Sequence, residues 1–223
     1  MDPRTAALIW QDDGSPRSAQ FDDPYFSAEG GLAEARHVFL AGNNLPARFK
    51  HGFHIAELGF GTGLNMLAAW QAWQQSGADG PLRFTSFEAF PLTAHDLQKA
   101  LKHWPELASL AAPLLAAWPC TTLRLPSLQF ELITGDARTT LPAWRGKADA
   151  WFLDGFSPSK NPEMWSESLM ASVRIHTTTK GSFATYTAAG HVRRVLATTG
   201  FSVARTKGFG RKRHMSIGNL GSP

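Results

Sequence analysis

The chain has 223 residues, 43% of them apolar, with 22 basic and 18 acidic side chains and a formal net charge of +4. That length and apolar share suit one α/β domain with a small extension, and a single cysteine, Cys120, excludes a disulfide framework and reads as a packed, reduced thiol. The first residues, MDPRTAALIWQDDG, lack the basic start and apolar core of a signal peptide, and no apolar run reaches membrane-spanning length, so a soluble cytoplasmic protein is expected.

The stretch ALIWQDDGSPRSAQFDDPYF (7–26) predicts a hairpin set in front of the main sheet, and residues 1–50 as a whole read as an N-terminal elaboration. The core, 51–223, opens with a strand at HIAEL (54–58). Three glycines follow, Gly59, Gly61 and Gly63, and then a helix over 64–76 that stops at Gly77. A second strand is predicted at LRFTSFE (82–88) and a helix over 93–104 capped by Thr93; PELASLAAPLLAAWP (105–119) lengthens the next connection. Further strands are predicted at LQFELIT (128–134), ADAWFL (148–153), GSFATYT (181–187), FSVART (201–206) and HMSIGNL (214–220), with a helix over 189–200. Strands alternating with helices predict a mostly parallel sheet, closed by two strands that have no helix between them. Neither a repeat nor a low-complexity linker divides the chain, so 1–223 reads as a single domain.

Four acids fall at the carboxyl ends of four successive predicted strands: Glu57, Glu88, Asp136 and Asp154. Each alone reads equally well as a helix cap or turn residue, but that reading gives no reason for all four to share the sheet edge where α/β proteins bind ligands. The glycine turn lets backbone approach a ligand closely, and the helix behind it offers free amides. Its spacing is G-x-G-x-G, and the dinucleotide fingerprint needs the third glycine one residue later. Glu57 would repel a pyrophosphate and attract the sulfonium or ammonium of S-adenosylmethionine. Glu88 is placed to accept ribose hydroxyls, Asp136 to accept from an adenine amine, and Asp154 to orient a reacting group. The eight histidines show no metal-ligand spacing, and no metal is expected.

Charge is divided unevenly along the chain. Nine basic and no acidic residues follow Glu167, so the last 56 residues carry +9 and the rest −5, which points to a polyanionic partner; a solvated basic tail is the competing reading.

The segments DDPYFSAEGGLAEARHVFLAGNNLPARF, ELGFGTGLN, SFEAFPLT, DAWFLDGFSPSKNPEMW and GFGRKRHM together resemble the methyltransferase domain of the tRNA 5-methylaminomethyl-2-thiouridine biosynthesis family, with matches running from Phe21 to Met215. Where family members often carry Ala and Asp, this chain has Ser157, Ser159 and Glu163. The resemblance implies a class I S-adenosylmethionine-dependent methyltransferase fold, Rossmann-like with an antiparallel last strand; a monomer is expected. It implies N-methylation of 5-aminomethyl-2-thiouridine at the tRNA wobble position. The cofactor-binding residues it implies are Glu57, Gly59, Phe60, Gly61, Thr62, Gly63, Asn65, Glu88, Asp136 and Asp154. Asp154 and Phe156 would serve catalysis, and Lys160, Arg193, Arg194, Arg211, Lys212 and Arg213 would bind RNA. Tyr25 and Ser27 resemble a segment that folds over the cofactor. Many family members are fused to a flavin-dependent oxidase; that activity is not carried over, and an oxidase domain or separate oxidase would supply the substrate. Alternatives are an aminopropyltransferase or nicotinamide oxidoreductase on the same sheet, or a non-catalytic RNA-binding module on a methyltransferase scaffold.

Overall fold

The computed structural model describes residues 5–27 and 30–221. At the N-terminus, β1 (Leu8–Trp10), β2 (Pro16–Ser18) and β3 (Asp23–Pro24) form a three-stranded antiparallel sheet, one strand more than the expected hairpin. Helix α1 (Gly31–Ala35) continues into a π-helical turn over Arg36–Leu40 and leads to the core. There the order is β4 (His54–Leu58), α2 (Leu64–Ser76), β5 (Leu82–Glu88), α3 (Ala94–Leu101), α4 (Ala108–Ala117), β6 (Thr122–Leu125) and β7 (Leu128–Thr134). It continues with α5 (Ala137–Ala143), β8 (Ala148–Leu153), α6 (Glu167–Ile175), β9 (Thr177–Thr185), α7 (Gly190–Thr198), β10 (Ser202–Lys207) and β11 (His214–Asn219).

The main sheet has eight strands in the order β10-β11-β9-β8-β4-β5-β7-β6. Strands β9, β8, β4, β5 and β7 run parallel, while β11 is antiparallel to both its neighbours and β6 is antiparallel to β7. Side chains alternate between the two faces of each strand. Ile55, Phe84, Phe130 and Phe152 pack under α2, α3, α4 and the 31–45 segment, and Ala56, Leu58, Phe87, Trp151 and Phe183 pack under α5, α6 and α7. With helices on both faces, β4 is buried along its whole length and β8 nearly so, while β5 and β7 keep exposed polar residues such as Arg83, Gln129 and Glu131. Helix α2 buries Leu64, Met66, Leu67, Trp70 and Trp73 and is bounded by Gly63 at φ +71° and Gly77 at φ +70°.

Several elements differ from the sequence reading. Strand β6 and helices α1, α4, α5 and α6 appear where no individual element was assigned. In α6 the signal was present, because Leu169, Met170 and Val173 form its buried stripe. In α5 it was masked by brevity and by Pro142. Strand β9 begins four residues before the expected 181 and ends at Thr185, so Tyr186 and Thr187 lie beyond the strand on the ligand edge of the sheet. The early start follows from pairing of Thr177 with Ala148 ahead of an irregularity in the β8–β9 ladder. Among the described residues, no helix is long and apolar enough to cross a membrane.

Candidate active site

The order in which strands are added to the sheet reverses between the parallel neighbours β4 and β8, since the chain proceeds from β4 outward to β5 and β7 and then returns to β8 on the other side. Such a switch point opens a crevice at the carboxyl ends of the strands. A cavity of about 890 Å³ lies there, the right size for a nucleoside cofactor with part of a substrate. Gly59, Glu88, Asp136, Asp154 and Tyr186, from the ends of five strands, all reach its wall. Phe21, Asp23 and Tyr25 close it from the N-terminal sheet, with Glu34 contributed by α1.

Backbone joins the strand ends directly. Gly59 N donates to Phe87 O at 2.9 Å, and Asp154 N donates to Leu58 O at 3.1 Å. Gly59 has φ +90°, and a Cβ there would collide with the carbonyl oxygen of Asp154. Glycine is therefore required by the close approach of β4 and β8 as well as by the turn. Gly61 N donates to Glu88 Oε2 at 3.0 Å and Phe90 N to Glu88 Oε1 at 2.8 Å. Burial raises the Glu88 pKa and these amides pull it back, so the acid that reaches the cavity also shapes the glycine turn.

Asp154 and Glu57 are linked through Asn65. One amide nitrogen, Nδ2, donates to Glu57 Oε1 at 2.9 Å and to Asp154 Oδ2 at 2.7 Å, using both of its protons. Ser86 Oγ donates to Glu57 Oε2 at 2.7 Å. Enclosure by protein pushes the Asp154 pKa up to about 7; Asn65 opposes that rise, Glu34 and Asp23 add to it, and Lys212 opposes it. Burial also holds Glu57 well above the usual carboxylate range. A carboxylate poised near neutral pH on a cavity wall is suited to exchanging a proton with a bound group.

The other expected residues divide as follows. Phe60, Thr62 and Asn65 line the cavity, but Glu57 and Gly63 do not. Glu57 is fully buried beneath it with both oxygens bonded, because the strand alternation sends its side chain under α2. Gly63, at φ +71°, caps α2, and a Cβ there would meet the Phe60 ring at 2.7 Å. Asp136 reaches the wall and at the same time caps α5 and pairs with Arg138, which lowers its pKa; Arg138 also pairs with Glu163 at 2.7 Å. Phe156 stacks on Phe21 at 4.8 Å and meets Tyr25 edge-on at 5.2 Å. Asp23 Oδ2 accepts from Ser157 N at 2.7 Å, so the N-terminal sheet is fastened to the loop after β8.

Two of the expected RNA ligands are placed otherwise than the charge count suggested. Lys160 is tied to Asp22, at 2.5 Å, as part of the same fastening. Lys212 turns into the cavity wall, where its Nζ meets Glu34 Oε1 at 2.8 Å. Arg211 reaches the wall as well, and Arg193 Nε donates to Ala188 O at 3.3 Å; Arg194 and Arg213 are on the molecular surface. Sequence reasoning missed Tyr186, Glu34 and Asp23. The DDPYF segment was a signal for Asp23, but nothing local marked Glu34 or Tyr186.

Comparison with known proteins accords with this geometry. The family profile described as S-adenosyl-L-methionine-dependent methyltransferase matches residues 105–220, just over half of the chain. The chain belongs to that family. It is 47% identical, over 97% of its length, to the tRNA 5-methylaminomethyl-2-thiouridine biosynthesis bifunctional protein MnmC of Marinomonas sp. (strain MWYL1), and spans 34% of that relative. Among solved structures, MNMC2 from Aquifex aeolicus aligns over 100% of this chain and 72% of its own, at 26% identity and a TM-score of 0.77. Spermidine synthase from Thermotoga maritima aligns over 99% of this chain and 73% of its own, at 9% identity and a TM-score of 0.58, which shows a shared fold.

Proposed function

We propose that this methyltransferase acts on the primary amine of 5-aminomethyl-2-thiouridine at the wobble position of tRNA, in the cytoplasm, giving 5-methylaminomethyl-2-thiouridine. The observation that carries the reading is Asp154, a carboxylate on the cavity wall whose pKa is pushed up to about 7 beside the glycine turn. The name of the Marinomonas relative supports the choice of substrate.

The residues fit the cofactor. The Gly59–Gly63 turn brings backbone to the cavity with no Cβ at Gly59 and Gly61, and Thr62 and Asn65 stand at the start of α2. Glu88 is the proposed acceptor for the ribose hydroxyls and Asp136 for the adenine amine. When bound, S-adenosylmethionine supplies an electrophilic methyl group on a sulfonium cation. An alkylamine has a pKa of about 10 and is protonated at neutral pH, so only about one molecule in 10³ carries a free lone pair. Asp154 accepts the ammonium proton and leaves that lone pair on nitrogen. Asn65 holds the carboxylate in place, and Phe156, backed by Phe21, presents an aromatic face to the cation. Most of the acceleration comes from holding the amine in line with its methyl donor. Arg193, Arg194, Arg211 and Arg213 are the proposed contacts to tRNA phosphates.

The test is to incubate the protein with S-adenosylmethionine and tRNA bearing 5-aminomethyl-2-thiouridine, then digest it and weigh the nucleosides. One added methyl on the amine is expected; an unmodified amine overturns the reading. Calorimetry should show S-adenosylmethionine bound in preference to NAD and decarboxylated S-adenosylmethionine, and Glu88→Ala should weaken that binding by about 1–3 kcal/mol through loss of charge-assisted hydrogen bonds.

A further inference from the structure

Lys212 lies in the turn between β10 and β11, yet its side chain leaves that turn for the cavity wall. Its Nζ is 2.8 Å from Glu34 Oε1 and 4.4 Å from the centre of the Tyr186 ring. The Glu34 side chain is 12% exposed and that of Lys212 48%, so the carboxylate is built into the protein and the lysine reaches it from outside. Tyr186 is held as well: its hydroxyl donates to Gly155 O at 2.8 Å, and its ring stands perpendicular to Trp165. A carboxylate and an aromatic face around one primary ammonium are the elements by which proteins recognise an alkylammonium. Tyr186 bonds the residue that follows Asp154, and Glu34, Lys212, Tyr186 and Asp154 all line the same cavity.

The end of a lysine side chain and a 5-aminomethyl substituent are the same chemical group, a methylene bearing an ammonium. Resting on the methyl-transfer reading above, we propose that Glu34 and the Tyr186 ring form the seat for the substrate ammonium, and that Lys212 fills this seat until substrate displaces it. The exchange replaces one cation by another, so Glu34 keeps a counter-charge while the substrate enters. A uridine with an uncharged 5-substituent has nothing to offer Glu34 in exchange, and the seat stays closed to it. From the seat the amine gives one proton to Asp154: an N–H bond breaks, an O–H bond forms, and the electron pair stays on nitrogen for the incoming methyl. Glu34 and Tyr186 thereby set specificity for a protonated amine, and Lys212 is an internal competitor for the same place.

The experiment uses the full chain with S-adenosylhomocysteine, which cannot donate a methyl. Calorimetry compares 5-aminomethyl-2-thiouridine with 5-methyl-2-thiouridine, which lacks the amine, on the wild-type protein and on Lys212→Ala, Lys212→Met and Glu34→Gln. If Lys212 fills the seat about nine-tenths of the time, emptying it raises affinity for the amine about tenfold. Affinity for the amine-free nucleoside stays constant, and Glu34→Gln erases the preference for the amine. Unchanged or weaker amine binding in both Lys212 variants, or wild-type amine binding in Glu34→Gln, overturns the proposal. A crystal structure of the nucleoside complex should place the substrate amine on Glu34 with Lys212 withdrawn; Lys212 still bonded to Glu34 also overturns it. Methylation by the wild-type protein tests the reaction separately: no methylation with raised amine affinity in the Lys212 variants leaves the seat standing, and methylation with unchanged affinity removes the seat alone.

Discussion

Replacing Asp154 by Asn keeps the shape of the side chain and removes its ability to accept a proton. Burial pushes the Asp154 pKa up to about 7, so around neutral pH the carboxylate passes between its ionised, proton-accepting form and its protonated one. Passing a proton from an ammonium of pKa about 10 to this carboxylate is itself uphill by about 10³, so Asp154 does not remove that cost; it takes the proton inside the site, a general-base contribution on the order of 10²–10⁴. Asn in this place would also confront the Asn65 amide, which now donates to the carboxylate at 2.7 Å, and must be re-oriented to accept from it. The expected loss in kcat/KM is therefore roughly 10²–10³-fold. Because kcat/KM reports the free enzyme, its pH profile separates this role from a structural one. The wild-type rate should fall as pH drops below about 7, where Asp154 becomes protonated, and in Asp154→Asn that limb should move towards the amine's own pKa of about 10. Single-turnover methylation of tRNA between about pH 5 and 9, roughly two units either side of neutrality, measures both effects. A variant that loses less than about tenfold and keeps a limb near 7 would refute proton transfer to Asp154.

The same substitution should act oppositely on stability. The folded-state pKa of Asp154 lies above its ordinary 3.8, so its protonated form favours the fold below that value and the ionised form weakens it as pH rises through about 7; Asp154→Asn should raise stability by about 1–3 kcal/mol at pH 8 and by little at pH 4, read from urea midpoints. Gly59→Ala should lower the urea midpoint by the equivalent of about 2 kcal/mol or more, since φ is +90° and the new Cβ meets the Asp154 carbonyl; an unchanged midpoint would mean that β4 and β8 can separate at no cost. Arg213→Ala, on the exposed turn before β11, should weaken tRNA binding and reduce the salt dependence of log K by about one, while binding of the free nucleoside stays as it was; an unaltered slope would take the turn out of the RNA contact.

Much of the framework was legible in the sequence. The bounds of β4, α2, β5, β7 and β8 coincide with the predicted 54–58, 64–76, 82–88, 128–134 and 148–153. Short segments rich in apolar residues make these strands, and glycines with positive φ punctuate the turns beside them, so these elements are written locally. The acids at strand ends followed from the same boundaries. Tertiary structure decided which way those acids face and what they meet. Glu57 ends a strand as Glu88 and Asp154 do, but its position in the alternation turns it under α2, where it supports Asp154 through Asn65. Lys212 carried the same local signal as the other bases of its segment, yet it closes on Glu34 from 178 residues away. A side chain's charge is a property of its residue; its partner is a property of the chain's path, and no local pattern records which distant segments that path brings within 3 Å of each other, roughly the reach of a hydrogen bond.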